Sequence, residues 1–194
     1  MISNTKKNIK VLSTSYRSGG HLSRLFENLR MKADDPLSLH FIVVDNTNGQ
    51  DIELKDSFSN DLEIQFIMND GTGLQRSISH SSALGRGIQN CKTEFTLIID
   101  PDVHVFKDQW DNFCIGQMNR VDKMVIGAPY PDWKLGKVHD YPSVIFMFFR
   151  TKQVIDFDRS FNPFSEASHT PFSVINPVTY LAGVTSKAKF IALL

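Results

Sequence analysis

The sequence predicts an α/β protein of three layers, in which helices cover both faces of a largely parallel sheet. Short apolar runs rich in branched residues alternate with stretches whose apolar residues recur at helical spacing. The run Phe95–Ile99 is apolar almost throughout and too short for a core helix, which is typical of a parallel strand covered on both faces. We therefore expect a single α/β/α domain over residues 1–194.

The first elements form a strand–helix–strand unit. Residues 10–13 and 41–44 are short apolar runs followed by polar turns, which predicts two strands. Between them, apolar residues recur at intervals of three and four, which predicts a helix opened by Gly19 and Gly20. The apolar face of this helix comprises Leu22, Leu25, Phe26 and Leu29.

The same alternation continues along the chain. Further strands are predicted at residues 64–67, 95–99, 124–126 and 144–149. Helical spacing covers residues 74–91 and begins again after Asp108, which we expect to cap the new helix. The inward residues of that helix are Trp110, Phe113, Cys114, Met118 and Val121. From about residue 156 the period weakens, and we expect loops and short elements.

Composition excludes several functional classes. The chain has 21 basic and 21 acidic residues, a net charge of 0 and a hydrophobic fraction of 41 %. This balance is not that of a disordered chain, and without a basic excess we expect no nucleic-acid partner. The apolar runs are too short to span a membrane, so we expect a cytoplasmic protein without a transmembrane segment. Cys91 and Cys114 fit no zinc spacing and are expected to be core thiols.

Polar segments follow all four strands of the first half. They are residues 14–17, 45–48, 69–73 and 100–102. Because open α/β sheets bind ligands at the carboxyl ends of their strands, these segments are the candidate site.

The most informative segment is Asp100-Pro101-Asp102. In an extended chain, residues two apart point to the same side, which would bring the two carboxylates together. Mg²⁺ and Mn²⁺ typically take one or two such ligands and complete their shell with water and substrate phosphate. The alternative is a turn in which both carboxylates accept hydrogen bonds from backbone amides.

The glycines argue against two common nucleotide folds. Gly71-Thr72-Gly73 lacks the ending of a P-loop, and the first strand is not followed by a dinucleotide-binding glycine turn. We expect Gly71 and Gly73 to be turn residues. Asp45 is open to two interpretations, because an acidic residue ending the second strand also binds ribose in dinucleotide folds.

Taken together, three segments resemble the nucleotide-sugar half of a family-2 GT-A glycosyltransferase. They are a Thr-Ser-Tyr turn over residues 14–16, Val-Asp-Asn over 44–46, and a pattern running from Gly87 through Glu94-Phe95 to the D-x-D of 100–102. The resemblance covers about residues 9–106 and implies a Rossmann-like nucleotide-diphospho-sugar transferase fold, with about 107–194 as the acceptor-side half. One departure is Leu84-Gly85, where the family commonly has Arg-Asn.

The resemblance implies roles for particular residues. Thr14 and Tyr16 would flank the base, Asp45 would accept a hydrogen bond from it, Asp100 would lie near the ribose and the metal, and Asp102 would be the principal ligand of Mn²⁺ or Mg²⁺. Arg76 is a candidate for the phosphates, with a solvated surface arginine as the alternative. The looser match of the second half places Glu166 as the catalytic base, with Ala167 where the family has Asp, and Asp158 as second choice.

The expected activity is metal-dependent transfer of a sugar from a nucleoside diphosphate sugar to a hydroxyl of a carbohydrate, protein or lipid-linked acceptor, with inversion. One alternative is a degenerate module that binds a nucleotide or a partner without turnover. Another is a sugar nucleotidyltransferase, although Ser18-Gly19-Gly20 is a poor version of its glycine-rich basic loop. The acceptor site could also be completed by a second copy of the chain or by a membrane surface.

Overall fold

A computed structural model describes residues 8–121, 125–129 and 142–155 of the chain. The strands are β1 Ile9–Ser15, β2 Leu39–Asp45, β3 Ile64–Met68, β4 Phe95–Ile99, β5 Val125–Pro129 and β6 Pro142–Arg150. The helices are α1 Gly19–Lys32, α2 Arg76–Ile88, α3 Trp110–Val121 and α4 Thr151–Ile155, with short 3-10 turns at Pro36–Ser38 and Lys55–Ser57. None of the helices within these residues is long and apolar enough to cross a membrane.

The strands form one six-stranded sheet in the order β3-β2-β1-β4-β6-β5. The four strands β3, β2, β1 and β4 are parallel, whereas β6 runs antiparallel to both β4 and β5. The predicted α/β fold with a mostly parallel sheet is therefore confirmed. Apolar content alone did not reveal the direction of β6, because a buried strand is apolar whichever way it runs.

Helices bury both faces of the sheet, as the alternation predicts. Along β1, Ile9 and Val11 face the cluster formed with α1 and α3, while Leu12 faces the cluster formed with α2. At the centre of the first cluster Trp110 is fully buried, and its indole nitrogen donates a 3.0 Å hydrogen bond to the carbonyl of Leu29. The sheet is thus fixed between two apolar layers, and its strand ends are free to carry polar groups.

Most of the expected inward residues of α3 are buried. Cys114 and Met118 are fully buried with Trp110, but Phe113 is only partly so. The expected helix cap at Asp108 is wrong, because the helix begins at Trp110 and the Asp108 carboxylate lies 2.6 Å from the ammonium of Lys32. The first helical hydrogen bond is instead accepted by the carbonyl of Gln109.

Both cysteines are free and buried, as predicted. Burial raises the pKa of the Cys91 and Cys114 thiols to about 12, so neither is a reactive thiolate at neutral pH.

Gly87 brings α2 unusually close to the sheet. A Cβ atom at this position would lie 2.4 Å from Leu12 Cδ1 and 2.9 Å from Val44 Cγ2. The absence of a side chain therefore lets the helix axis approach β1 and β2. This contact holds the last turn of α2 against β1 and β2.

Candidate functional site

The register of the sheet brings the polar segments to one edge. Ser15 of β1 pairs with Asp45 of β2, and Leu12 of β1 pairs with Ile98 of β4. At the β1–β4 junction, the Ser13 hydroxyl donates a buried 2.6 Å hydrogen bond to the carbonyl of Ile99. The segments that follow β2, β1 and β4 therefore start at similar heights, with β1 in the middle.

Asp100 lies at this edge beside a histidine. His80 Nε2 is 3.7 Å from Asp100 Oδ1, and His80 Nδ1 is 3.4 Å from the hydroxyl of Thr14. Burial, with the Asp102 charge adding to it, raises the pKa of the Asp100 carboxyl to about 6. Burial also lowers the pKa of His80, so its ring is neutral at pH 7. Among the described residues, His80 Nε2 is a buried nitrogen without a hydrogen-bond partner.

Sequence reasoning missed His80. Its position on α2 carries a signal, because His80, Leu84 and Ile88 follow one another at intervals of four. Residues four apart share a helix face, and Leu84 and Ile88 of this face are buried against the sheet. His80 begins this face, in the first turns of a helix that starts at the carboxyl edge of the sheet. Because ligands of open α/β sheets bind at this edge, a histidine at such a position is a candidate for ligand contact.

Asp102 is exposed two residues after Asp100. The extended chain that the sequence argument assumed is wrong, because the backbone turns at Pro101 and Asp102, with the Val103 amide donating to the carbonyl of Asp100 at 3.3 Å. The two charges are close enough for Asp102 to raise the pKa of Asp100. Two carboxylates this close in the chain could hold a divalent cation such as Mn²⁺ or Mg²⁺, which typically takes one or two protein carboxylates.

The protein ligands alone do not complete such a site. Within the described ranges, no group of three or more His, Cys, Asp or Glu side chains is arranged to hold a metal ion. A cation held by Asp100 and Asp102 would therefore take its remaining ligands from water and from a substrate diphosphate.

Asp45 is buried and shapes the loop after β2. Its carboxylate accepts hydrogen bonds from the Thr47 amide at 2.9 Å, the Thr47 hydroxyl at 2.6 Å and the Gly49 amide at 3.1 Å. Gly49 has a φ of +78°, which glycine adopts without strain. Both carboxylate oxygens of Asp45 are therefore engaged within the loop.

An aspartate shapes the loop after β3 in the same way. Asp70 accepts hydrogen bonds from the Thr72 amide at 3.1 Å and the Thr72 hydroxyl at 2.6 Å, which lower the pKa of its carboxyl. A backbone bridge between Thr47 and Asp70 joins the two loops.

A buried amide network holds the start of α2 to these loops. Asn46 donates to the Ser79 hydroxyl at 2.7 Å and accepts from the Asn69 amide at 2.7 Å. Gly71 is packed against this network, since a Cβ there would lie 2.3 Å from both Asn46 Oδ1 and Ser79 Oγ. A glycine at position 71 is thus required for the close approach of its backbone to Asn46 and Ser79. Gly73, with a φ of +73°, occupies a left-handed turn position.

The remaining residues predicted for the site make fewer contacts with other side chains. Tyr16 follows β1 and is 61 % exposed, and Arg76 is exposed at the start of α2. Thr14 is buried beside His80. The candidate bases Glu166 and Asp158 lie outside the described residues.

A cavity of about 380 Å³ opens next to the loops that follow β1 and β2. Arg17, Gly20, Asp51 and Glu53 are among the residues that line it. Asp100, Asp102 and His80 are not among the residues that line this cavity.

Comparison with known proteins supports the fold. No protein-family model matches the chain, and no curated protein sequence does. Solved structures do match, among them the mannosyltransferase PcManGT from Pyrobaculum calidifontis in complex with GDP-Man and Mn²⁺, with a TM-score of 0.59 and 13 % identity over 80 % of this chain and 49 % of that one. S. aureus TarS 1-349 in complex with UDP-GlcNAc matches with a TM-score of 0.61 and 17 % identity over 88 % of this chain and 53 % of that one.

At these identities the similarity shows the fold alone. The fold is the Rossmann-like α/β type found in glycosyltransferases, as the sequence resemblance implied. The chain spans about half the length of these two neighbours.

Proposed function

We propose that this protein is a metal-dependent glycosyltransferase of the family-2 type, which moves a sugar from a nucleoside diphosphate sugar to an acceptor hydroxyl with inversion. The observation that supports this most directly is the placement of Asp100, Asp102 and His80 together at the carboxyl edge of the sheet. Ligands of open α/β sheets bind at this edge. PcManGT and TarS, which share the fold, have been solved with GDP-Man and UDP-GlcNAc.

Asp100 and Asp102 would hold the cation, Mn²⁺ or Mg²⁺, and Mn²⁺ is present in the PcManGT complex. The chemistry that such an ion supplies is neutralisation of the charge that develops on the leaving diphosphate. His80 would orient the Asp100 carboxylate, since its ring lies between Asp100 and Thr14.

The residues around this pair would bind the donor. Thr14 and Tyr16, at the end of β1, would flank the nucleoside, and Asp45 would contribute by shaping the loop beside the base or by accepting from it. Arg76, exposed at the start of α2, would donate to the phosphates. We assign the donor half to about residues 9–106 and the acceptor half to about 107–194.

The transfer itself would be a direct displacement. The acceptor oxygen forms a bond to the anomeric carbon as the bond to the diphosphate oxygen breaks, and a carboxylate takes the hydroxyl proton. Glu166 is the proposed base and Asp158 the second candidate, both from the family resemblance.

Release of nucleoside diphosphate from sugar nucleotides tests the proposal. We expect UDP-sugars or GDP-sugars to be turned over slowly to water with Mn²⁺ and not with EDTA, and D102N to lower the rate at least 100-fold. The matched control is D61N, because Asp61 is exposed and paired with Arg30 in the loop before β3.

Metal-dependent release that survives in D102N would contradict the metal assignment. Binding of a sugar nucleotide without any release, with or without candidate acceptors, would favour the non-catalytic module. Formation of a sugar nucleotide and pyrophosphate from a nucleoside triphosphate and a sugar phosphate would favour the nucleotidyltransferase.

A further inference from the structure

Thr14 belongs to the interior of the carboxyl edge. It follows Leu12 by two residues in β1, so both side chains point to the face of the sheet that α2 covers. Thr14 is only 7 % exposed, whereas Tyr16 is 61 % exposed. Of these two residues, Tyr16 therefore has the free surface that contact with a nucleoside needs, and Thr14 has little.

The strand register brings Thr14 close to Asp100. Leu12 of β1 pairs with Ile98 of β4, and both belong to the apolar cluster formed with α2. Thr14 and Asp100 each follow by two residues, and the Asp100 amide still donates to the carbonyl of Ile145 on β6 at 3.1 Å. The two side chains thus continue the same pairing on the same face, about one strand spacing of 4.8 Å apart.

His80 of α2 connects these two side chains. Its Nδ1 atom is 3.4 Å from the Thr14 hydroxyl, which is the distance of a long hydrogen bond, and its Nε2 atom is 3.7 Å from Asp100 Oδ1, just beyond one. Nε2 is buried and has no hydrogen-bond partner within the described residues. The Asp100 carboxylate is therefore the group that this nitrogen can engage after a small rotation of either side chain.

The tautomer of His80 decides the sign of both contacts. A neutral imidazole carries its N–H on one nitrogen and a lone pair on the other. With the N–H on Nδ1, the lone pair of Nε2 would face a carboxylate oxygen of Asp100, and the two would repel. With the N–H on Nε2, the ring donates towards Asp100 and Nδ1 accepts from the Thr14 hydroxyl.

We propose that Thr14 is a positioning residue of the metal site, whose hydroxyl donates to His80 Nδ1 and so keeps the ring proton on Nε2, directed at Asp100. This inference rests on the proposed function, in which Asp100 holds the cation. Through this chain of contacts, His80 engages one carboxylate oxygen of Asp100 and leaves the other for the cation. The Thr14 hydroxyl is then committed to His80, and side-chain contact with the nucleoside falls to Tyr16.

The first test is spectroscopic and needs no ligand. ¹⁵N NMR of the metal-free, histidine-labelled protein at pH 8 distinguishes the two tautomers, and H80A assigns the His80 signals among the six histidines. We expect the Nε2–H tautomer in the wild-type protein and in T14S, which keeps the hydroxyl, and a mixture of both tautomers in T14V. An Nδ1–H tautomer in the wild-type protein would overturn the inference.

The second test separates the cation from the nucleotide. The Kd of Mn²⁺ is measured by titration with UDP or GDP present, and the Kd of the nucleotide by calorimetry in EDTA. We expect T14V to raise the Kd of Mn²⁺ about 10-fold, as loss of a group that orients a metal ligand does, and to leave the Kd of the nucleotide in EDTA unchanged. T14S should retain both affinities.

The double variant tests whether Thr14 acts through the ring. In H80A the ring is absent, so adding T14V should not weaken Mn²⁺ binding further. Losses that add in the double variant would overturn the inference, because Thr14 would then act independently of His80.

T96V is the matched control. Thr96 is a buried threonine of β4 whose hydroxyl lies 2.8 Å from that of Thr151, and it pairs with Lys10, nearer the amino end of β1. This substitution removes a buried hydroxyl away from the carboxyl edge and should leave the affinity for Mn²⁺ unchanged. Thermal denaturation without metal compares the stability of T96V and T14V.

An unchanged affinity for Mn²⁺ in T14V would overturn the inference and leave the proposed function standing. Weaker binding of the nucleotide in EDTA, with the Mn²⁺ affinity unchanged, would also overturn it, since the hydroxyl would then serve the nucleoside. Equal losses in T14V and T14S, or in T14V and T96V, would overturn it too, because packing or stability would be the cause. If the wild-type protein binds neither Mn²⁺ nor a nucleotide, the proposed function fails and the inference with it.

Discussion

His80 Nε2 lies 3.7 Å from Asp100 Oδ1, while the other nitrogen of the ring lies 3.4 Å from the Thr14 hydroxyl. The ring thus connects the ends of β1 and β4 through a residue of α2. Groups that orient a metal-binding carboxylate commonly change metal affinity by about 10- to 100-fold when they are removed.

We therefore expect H80A to raise the Mn²⁺ concentration needed for stabilisation by nucleoside diphosphate by about 10-fold. A Mn²⁺ titration followed by thermal shift measures this midpoint. H21A is the control, because His21 is exposed on α1. An unchanged Mn²⁺ midpoint in H80A would show that the histidine does not support the site.

D100N should stabilise the metal-free protein at pH 8 and have little effect at pH 4. The pKa of Asp100 is raised to about 6 from 3.8, so the native state holds its proton more tightly than the unfolded chain does. The wild-type stability that this group contributes is present below about pH 4 and is lost as the pH rises to about 6. The amide avoids that loss, which is worth about 2 to 3 kcal/mol.

Urea denaturation of wild type and D100N at the two pH values, with EDTA present, measures this difference. Equal stabilisation at pH 4 and pH 8 would indicate that the carboxyl is not perturbed by burial. A destabilised D100N at pH 8 would mean that the charge itself is favourable in the native state.

G87A should destabilise the protein by about 1 to 3 kcal/mol, because the added methyl group would overlap Leu12 Cδ1 and Val44 Cγ2. G85A is the matched control in the same helix, since a Cβ there meets no atom within 4 Å. Alanine is a better helix former than glycine, so G85A should be stabilising by up to about 1 kcal/mol. Equal effects of the two substitutions would contradict the close packing of α2.

N28A should destabilise the protein by about 2 kcal/mol and weaken the metal response. Asn28 is buried, accepts from the Val105 amide at 2.8 Å and donates to the Val105 carbonyl at 3.0 Å. Without it, two buried backbone groups in the segment after Asp102 lose their partners. Chemical denaturation and the Mn²⁺ titration measure the two effects, and E27A, at the exposed neighbouring position, should show neither.

The parallel half of the sheet was predictable because its signals are local. Burial of β4 on both faces gives an apolar run, and α1 shows a full helical stripe between two strands. The side on which β6 joins the sheet depends on pairing between distant segments, such as Ile99 with Phe146. Periodicity along one strand contains no information on that pairing.

The site was predictable only where its residues are adjacent in sequence. Asp100 and Asp102 lie two apart, so their proximity follows from the chain itself. His80 comes from α2, 20 residues before Asp100, and only the packing of α2 on the sheet brings it to 3.7 Å from that carboxylate. Likewise, the hydrogen bonds that Asp45 accepts from Thr47 and Gly49 form only in the folded loop. The sequence shows an acidic residue at a strand end but gives no indication of these bonds.

The paired turns built by Asp45 and Asp70 have a consequence for the thermodynamics of ligand binding. Each carboxylate bonds the amide and the hydroxyl of the threonine two residues later, and the bridge between Thr47 and Asp70 links the two loops. The conformational entropy of this part of the edge is therefore lost during folding. A ligand that arrives later meets a preorganised surface, and little of its binding enthalpy is offset by the ordering of these loops.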